Sequence, residues 1–166
     1  MAFSYGYYKE EVKEYLQSKF DRKATILDVG AGQGTYYDLL HDYFSIIDAV
    51  EVFRNNIRRY KLHTKYRKVY AMDIKDFIYR GYDIVIFGDI IEHLTVEDAK
   101  NVLKYAYNHC KEMIVAVPYQ LEQDEVDGNK YEKHIQDDLT DDIVKERYPM
   151  LKLLYKNELY GYYVKK

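Results

Sequence analysis

The residues best suited to chemistry are four acids, Asp28, Glu51, Asp73 and Asp89, each at or near the end of an apolar run, and a glycine turn beside the first of them. In the stretch ILDVGAGQGTY, residues 26–36, Asp28 and its apolar neighbours run into Gly30, Gly32 and Gly34 before a helical pattern begins. Glycines at alternate positions remove the Cβ atoms that would hold a ligand off the backbone, and they allow the positive φ values of a tight turn. Glu51 follows the glycines by about twenty residues, where an acid can accept both hydroxyls of a ribose. A purely structural sheet has no reason to end four successive strands in acids. The pattern reads as the rim of a nucleoside site, with a glycine-rich turn and incidental strand-end acids as the alternative.

The elements that must position these residues follow from periodicity. Strands are expected at about 24–29, 45–52, 66–72, 82–87 and 112–117, with helices at about 7–20, 35–43, 54–62, 75–79 and 95–109 between them. Ser4 stands as an N-cap before the first helix, and Thr95-Val96-Glu97-Asp98 has capping-box spacing with Asp as the last member. Such alternation implies an α/β fold: a doubly wound, mostly parallel sheet with helices on both faces. In such sheets the ligand crevice lies outside the carboxyl ends of the strands, where strand order reverses. Two close-set strands at 151–155 and 159–164 complete the chain as an antiparallel hairpin at the sheet edge. With no repeat or linker, residues 1–166 read as a single domain.

Composition narrows the function. The net charge of -3 offers no basic footprint for phosphate backbones. Cys110 has no partner for a disulfide and reads as a small buried hydrophobe. No run approaches the roughly 18 apolar residues of a membrane span, and the start MAFSYGYYKEE lacks the apolar core of a signal peptide. A cytoplasmic protein is expected. The 21 tyrosines, with no tryptophan, read as a compositional habit.

A dinucleotide fingerprint spaces its glycines G-x-G-x-x-G, whereas here the third falls one place early. ILDVGAGQGTY resembles the first motif of class I S-adenosylmethionine-dependent methyltransferases. Glu51 matches the family's ribose-binding acid, Met72-Asp73-Ile74 its adenine-contacting acid, and YDIVIFGDIIEHL, residues 82–94, resembles its fourth motif. The resemblance covers about residues 24–118 and implies a Rossmann-like fold with S-adenosylmethionine as cofactor. It places the turn of Asp28, Gly30, Gly32 and Gly34 against the methionine part and Glu51 on the ribose. Asp73, Ile74 and Phe53 then frame the adenine, with Asp89 nearest the reacting end. An acid-lined pocket suits a cationic sulfonium and would repel a pyrophosphate.

The methyl group is already activated by sulfur, so the enzyme's main work is alignment. Where the acceptor must lose a proton, histidine is the natural base. His93 lies just past the fourth strand, and His134 lies in a long loop after the fifth; both are catalytic candidates. Each also has a plainer reading, His93 as a packing residue and His134 as an incidental member of an acidic flap. Asp89, Glu92, His93 and His134 contain ligand types for a divalent ion, but they form no tight motif and no metal is expected. Nine acids between Glu122 and Asp142 disfavour nucleic acid and leave a neutral or cationic small molecule as the expected acceptor. Its pocket is expected to come from Tyr5, Tyr7 and Tyr8, the acidic loop and a second subunit of a homodimer. A nicotinamide-dependent oxidoreductase and a cofactor-binding module without catalysis are the rival readings.

Overall fold

A computed structural model describes residues 5–166; the expected Ser4 cap lies outside them. One sheet carries strands β1 Thr25–Val29, β2 Ile46–Val50, β3 Val69–Tyr70, β4 Ile84–Gly88, β5 Glu112–Pro118, β6 Leu151–Lys156 and β7 Tyr160–Lys165. Their order is β3-β2-β1-β4-β5-β7-β6. β1 to β5 are mutually parallel, and β7 pairs antiparallel with both β5 and β6. The doubly wound expectation and its C-terminal hairpin are both found. Within the hairpin, β7 is interior and β6 forms the edge. β7 is buried on both faces, whereas β6 exposes Lys152 and Lys156, charges that discourage edge-to-edge pairing.

Strand side chains alternate between two cores. Ile26, Ile84, Ile86 and Ile114 face helices α1 Lys9–Lys19 and α2 Thr35–Leu40 through Val12, Leu16, Tyr36 and Leu40. Leu27, Val85, Phe87 and Val115 face α5 Val96–His109 and α6 Asp141–Arg147. α5 offers Ala99, Val102, Leu103 and Ala106, a stripe at helical spacing. Thr95 caps α5 by accepting from the Asp98 N–H at 3.1 Å, an interaction of about 1 kcal/mol.

Several elements are shorter than the sequence predicts. β3 spans two residues, although its approach still meets β2 through the Arg67 N–H on Ile47 O and the Ala49 N–H on Lys68 O, both at 2.9 Å. In that approach the Tyr66 hydroxyl reaches Asp28, and Arg67 places a fork on Asp48 at 2.8 and 2.7 Å. Asp48 is fully buried and also accepts from the Tyr82 hydroxyl at 2.7 Å, which accounts for an acid inside the apolar run of β2. The expected helix at 54–62 divides at Lys61, φ 50°, into α3 Arg54–Arg59 and α4 Leu62–Lys65. The helix expected at 75–79 is a 3-10 turn, Ile74–Asp76. α6 lies partly in the segment read as an acidic loop. Thr140 caps it by accepting from the Ile143 N–H, and Leu139, Val144 and Tyr148 anchor it in the core.

Candidate active site

The chain winds from β1 outward through β2 to β3, then returns to β4 on the other side of β1. Strand order therefore reverses between β1 and β4, and the carboxyl ends of these strands open into a cleft. Every predicted cofactor-binding and catalytic residue except Gly34 and Phe53 lines it. Gly34 stands behind the turn as the N-cap of α2. Phe53 opens α3, and its neighbour Val52 takes its place on the wall.

The glycine turn is held from two sides. Val50 O accepts from the N–H groups of Gly30 and Ala31 at 2.8 and 3.2 Å, which ties the turn to β2. Gly30 has φ +68°, and a Cβ there would stand 2.0 Å from Ile90 Cδ1. The Ile90 side chain of the loop after β4 thus fills the space beside Gly30, and the positive φ there is one that glycine adopts freely. Across the cleft, a Cβ on Gly88 would stand 2.0 Å from the Tyr36 ring, so that ring closes directly over the end of β4.

Glu51 ties the glycine turn to the end of β2. Its Oε2 accepts from the Gly32 N–H at 2.8 Å and its Oε1 from the Phe53 N–H at 2.7 Å, with the residue only 5% exposed. The Asn56 side chain also hydrogen-bonds this carboxyl, so three donors within the chain converge on it. Burial raises its carboxyl above the ordinary range, against the pull of the two backbone donors. Asp28 accepts from the Tyr66 hydroxyl at 2.5 Å. Burial pushes its carboxyl up to about 7, the Tyr66 hydroxyl and Lys9 opposing and the Glu51 charge adding to the rise. Asp73 spends Oδ1 on the Lys75 N–H at 2.9 Å, capping the 3-10 turn that brings Ile74 to the wall. Asp89 holds a left-handed φ of 56°, a conformation Asp tolerates better than most residues. Its N–H donates to Ala116 O at 3.0 Å and its Oδ1 accepts from the Tyr160 hydroxyl at 2.5 Å.

The loop after β5 is fastened to the turn after β4 and closes the other end. Glu92 O accepts from the N–H groups of Ile135 and Gln136 at 2.8 and 2.9 Å. The Gln136 amide donates to Ile91 O and Leu94 O at 2.8 and 3.1 Å, while its Oε1 accepts from Arg147 and the Tyr148 hydroxyl. This part of the acidic segment is a fixed wall. It sets the His93 and His134 rings edge to face, with centroids 4.8 Å apart. Each Nδ1 meets a backbone carbonyl, Lys133 O at 3.1 Å for His93 and Leu121 O at 2.6 Å for His134. An Nδ1–H donor to each carbonyl leaves the Nε2 lone pair available to a further partner. Burial, then the neighbouring His134, pushes His93 down to about 4. His93 is therefore a neutral acceptor near pH 7 and a weak base.

Glu92, which the sequence offered only as a ligand type for an ion and not as a cofactor-binding or catalytic residue, belongs to the site. It is 1% exposed, lines the cleft, and neither carboxylate oxygen has a hydrogen-bond partner among the described residues. Burial raises its carboxyl well above the ordinary range, with Asp89 and Glu132 adding to the effect. The available signal was its place beside His93 in a turn opening from a strand end. Of the N-terminal tyrosines, Tyr5 lines the cleft and meets Tyr160 with ring centroids 5.6 Å apart. Tyr8 instead stacks on Tyr155 and packs the start of α1 against β6.

The family model described as a methyltransferase domain matches residues 27–113, from β1 into β5. The chain belongs to this methyltransferase family. It is 30% identical over 114 residues to an uncharacterised protein of Methanocaldococcus jannaschii, covering 65% of this chain and 47% of that one. The chain thus spans about half the length of the curated relative it matches. Its fold is similar to an S-adenosylmethionine-dependent methyltransferase from Clostridium acetobutylicum, with a TM-score of 0.72, 14% identity, and 99% and 92% of the two chains covered. It is also similar to the N-terminal domain of EvdMO1 with SAH bound, with a TM-score of 0.71, 13% identity, and 98% and 82% covered. At these identities the likeness is one of fold. The first of these structures is described as S-adenosylmethionine-dependent, and the second has SAH bound.

Proposed function

We propose that this domain, residues 1–166 as one unit, moves the methyl group of S-adenosylmethionine onto a small molecule bound at the Glu92, His93 and His134 end of the cleft. The observation that carries this reading is the division of one cleft into two chemistries. One end offers the glycine turn with Asp28, Glu51 and Asp73; the other offers two inward imidazoles on a wall fixed by Gln136. Bound in this way, the donor's ribose meets Glu51 and its adenine lies against Ile74 and Asp73. The sulfonium then faces Asp89, whose charge favours a cation.

Methyl transfer needs the acceptor atom, the methyl carbon and sulfur in line. Holding them so is a proximity effect that supplies most of what the reaction lacks. His93 and His134 bind the acceptor, and their carbonyl-anchored Nδ1 atoms fix which nitrogen it meets. The acids of the 122–142 segment favour a neutral or cationic acceptor over nucleic acid. No described helix is long and apolar enough to cross a membrane, and with Cys110 free and buried we read the domain as cytoplasmic. The test is a screen of small hydroxyl, amine and thiol acceptors with label in the donor's methyl group. Labelled product should form with at least one small acceptor and fall in His134→Ala. Label transferred only to protein or nucleic acid would reject the acceptor class.

A further inference from the structure

Glu92, His93 and His134 offer one ligand atom each within 4.8 Å of one another. From these residues we propose a divalent transition-metal site, of the zinc, cobalt or manganese class, at the acceptor end of the cleft. Three independent features support it. First, Glu92 is buried to 1% exposure with both oxygens unpartnered among the described residues, a cost that a buried carboxylate recovers by binding a cation. Second, both histidines direct Nδ1 to a backbone carbonyl. That outer contact fixes the ring and tautomer of a metal-ligating imidazole and leaves Nε2 to coordinate. Third, the two segments that supply the ligands are joined by the Glu92 O and Gln136 hydrogen bonds, so the cluster is preorganised.

The distances suit an ion. His93 Nε2 lies 3.9 Å from Glu92 Oε1, too far for a hydrogen bond. Two donors about 2.1 Å from a tetrahedral ion stand about 3.4 Å apart, so side-chain rotations of roughly 1 Å close the site. Two imidazoles and one carboxylate favour zinc-like ions over magnesium, which prefers oxygen ligands. Three protein ligands also leave a coordination place open toward the cleft.

The ion's role rests on the methyl-transfer reading. The open place takes an acceptor hydroxyl, and coordination lowers its pKa so that its proton leaves to solvent. The oxygen's electron pair then forms the new O–C bond while the C–S pair returns to sulfur, leaving a neutral thioether. On this account His93 and His134 bind the acceptor through the ion.

The full chain, stripped with a chelator, is titrated with Co2+ in the absence of donor, while d–d absorption and bound metal per chain are read. S-adenosylmethionine affinity is measured in parallel on the same samples. One equivalent of Co2+ with visible d–d bands is expected. Glu92→Gln and His134→Ala should each weaken Co2+ binding by at least about tenfold, with the donor Kd unchanged within about threefold and the circular dichroism intact. If His134→Ala fails to fold, the near-isosteric Glu92→Gln decides. Absence of saturable binding, or equal binding in wild type and Glu92→Gln, overturns the site. Co2+ binding without any donor binding upholds the site and rejects the methyl-transfer reading, so the two failures are distinguishable.

Discussion

Replacing Asp28 by asparagine keeps the side chain's shape and an acceptor for the Tyr66 hydroxyl while removing the charge. Asp28 is 2% exposed, and burial pushes its carboxyl from 3.8 to about 7. A folded-state value above the unfolded one means that the folded protein holds the proton more tightly. The associated stability is complete below pH 3.8 and is lost as pH rises through 7. At about 1.36 kcal/mol per pH unit, wild type gives up about 2 to 3 kcal/mol between pH 5 and pH 8 through this group. Asp28→Asn gives up none of it. The amide adds a cost of its own, but that cost does not depend on pH. Urea unfolding of both proteins from pH 5 to pH 8 should therefore show the variant gaining on wild type by about 2 to 3 kcal/mol across the range. A pH-independent difference would refute the buried, proton-holding Asp28. A cationic donor seated against Asp28 should also expel its proton near neutrality, and calorimetry in buffers of different ionisation heat reads that release directly.

Three further substitutions probe the frame. Glu51→Ala strands the Gly32 and Phe53 N–H groups and removes the proposed ribose acceptor, so the S-adenosylmethionine Kd should rise at least about tenfold, hydrogen bonds to charge being worth about 1.5–3 kcal/mol each; an unaltered Kd in calorimetry would exclude that role. Gly30→Ala drives a Cβ into Ile90 at an unfavourable φ and should cost about 2–4 kcal/mol in urea unfolding, partly restored by Ile90→Ala, and a loss under about 0.5 kcal/mol would show that the loops give way freely. Asp48→Ala leaves the Tyr82 hydroxyl and the half-exposed Arg67 without their partner and should cost about 2 kcal/mol. Because Arg67 and Tyr82 hold the Asp48 carboxyl below its ordinary value despite burial, that loss should shrink as pH falls through the folded-state pKa. A loss that stays constant in acid would contradict the pairing.

Much of this architecture was legible in the chain because each parallel strand is a short apolar run bounded by turn residues, and because α5 carries a full helical stripe behind its Thr95 cap. What the periodicity missed depends on contacts distant in sequence. The approach to β3 carries Tyr66 to Asp28 and Arg67 to Asp48, neither of which leaves a local signal. α6 has too few apolar positions to show a helical period, and its anchors Leu139 and Tyr148 flank the helix. At the site, strand-end acids and glycines were readable because the topology fixes where strand ends gather. Glu92 groups with His134 there only by ligand type, without a tight motif, because what joins them is a loop some forty residues away that Gln136 fastens in place.

The central claim is that the cleft between β1 and β4 is a donor site for S-adenosylmethionine rather than a dinucleotide site. Calorimetric titration of the full chain with S-adenosylmethionine, S-adenosylhomocysteine and NAD addresses it directly. One donor site per chain, competed by S-adenosylhomocysteine and indifferent to NAD, is the predicted result. Binding of NAD with no response to S-adenosylmethionine would contradict it.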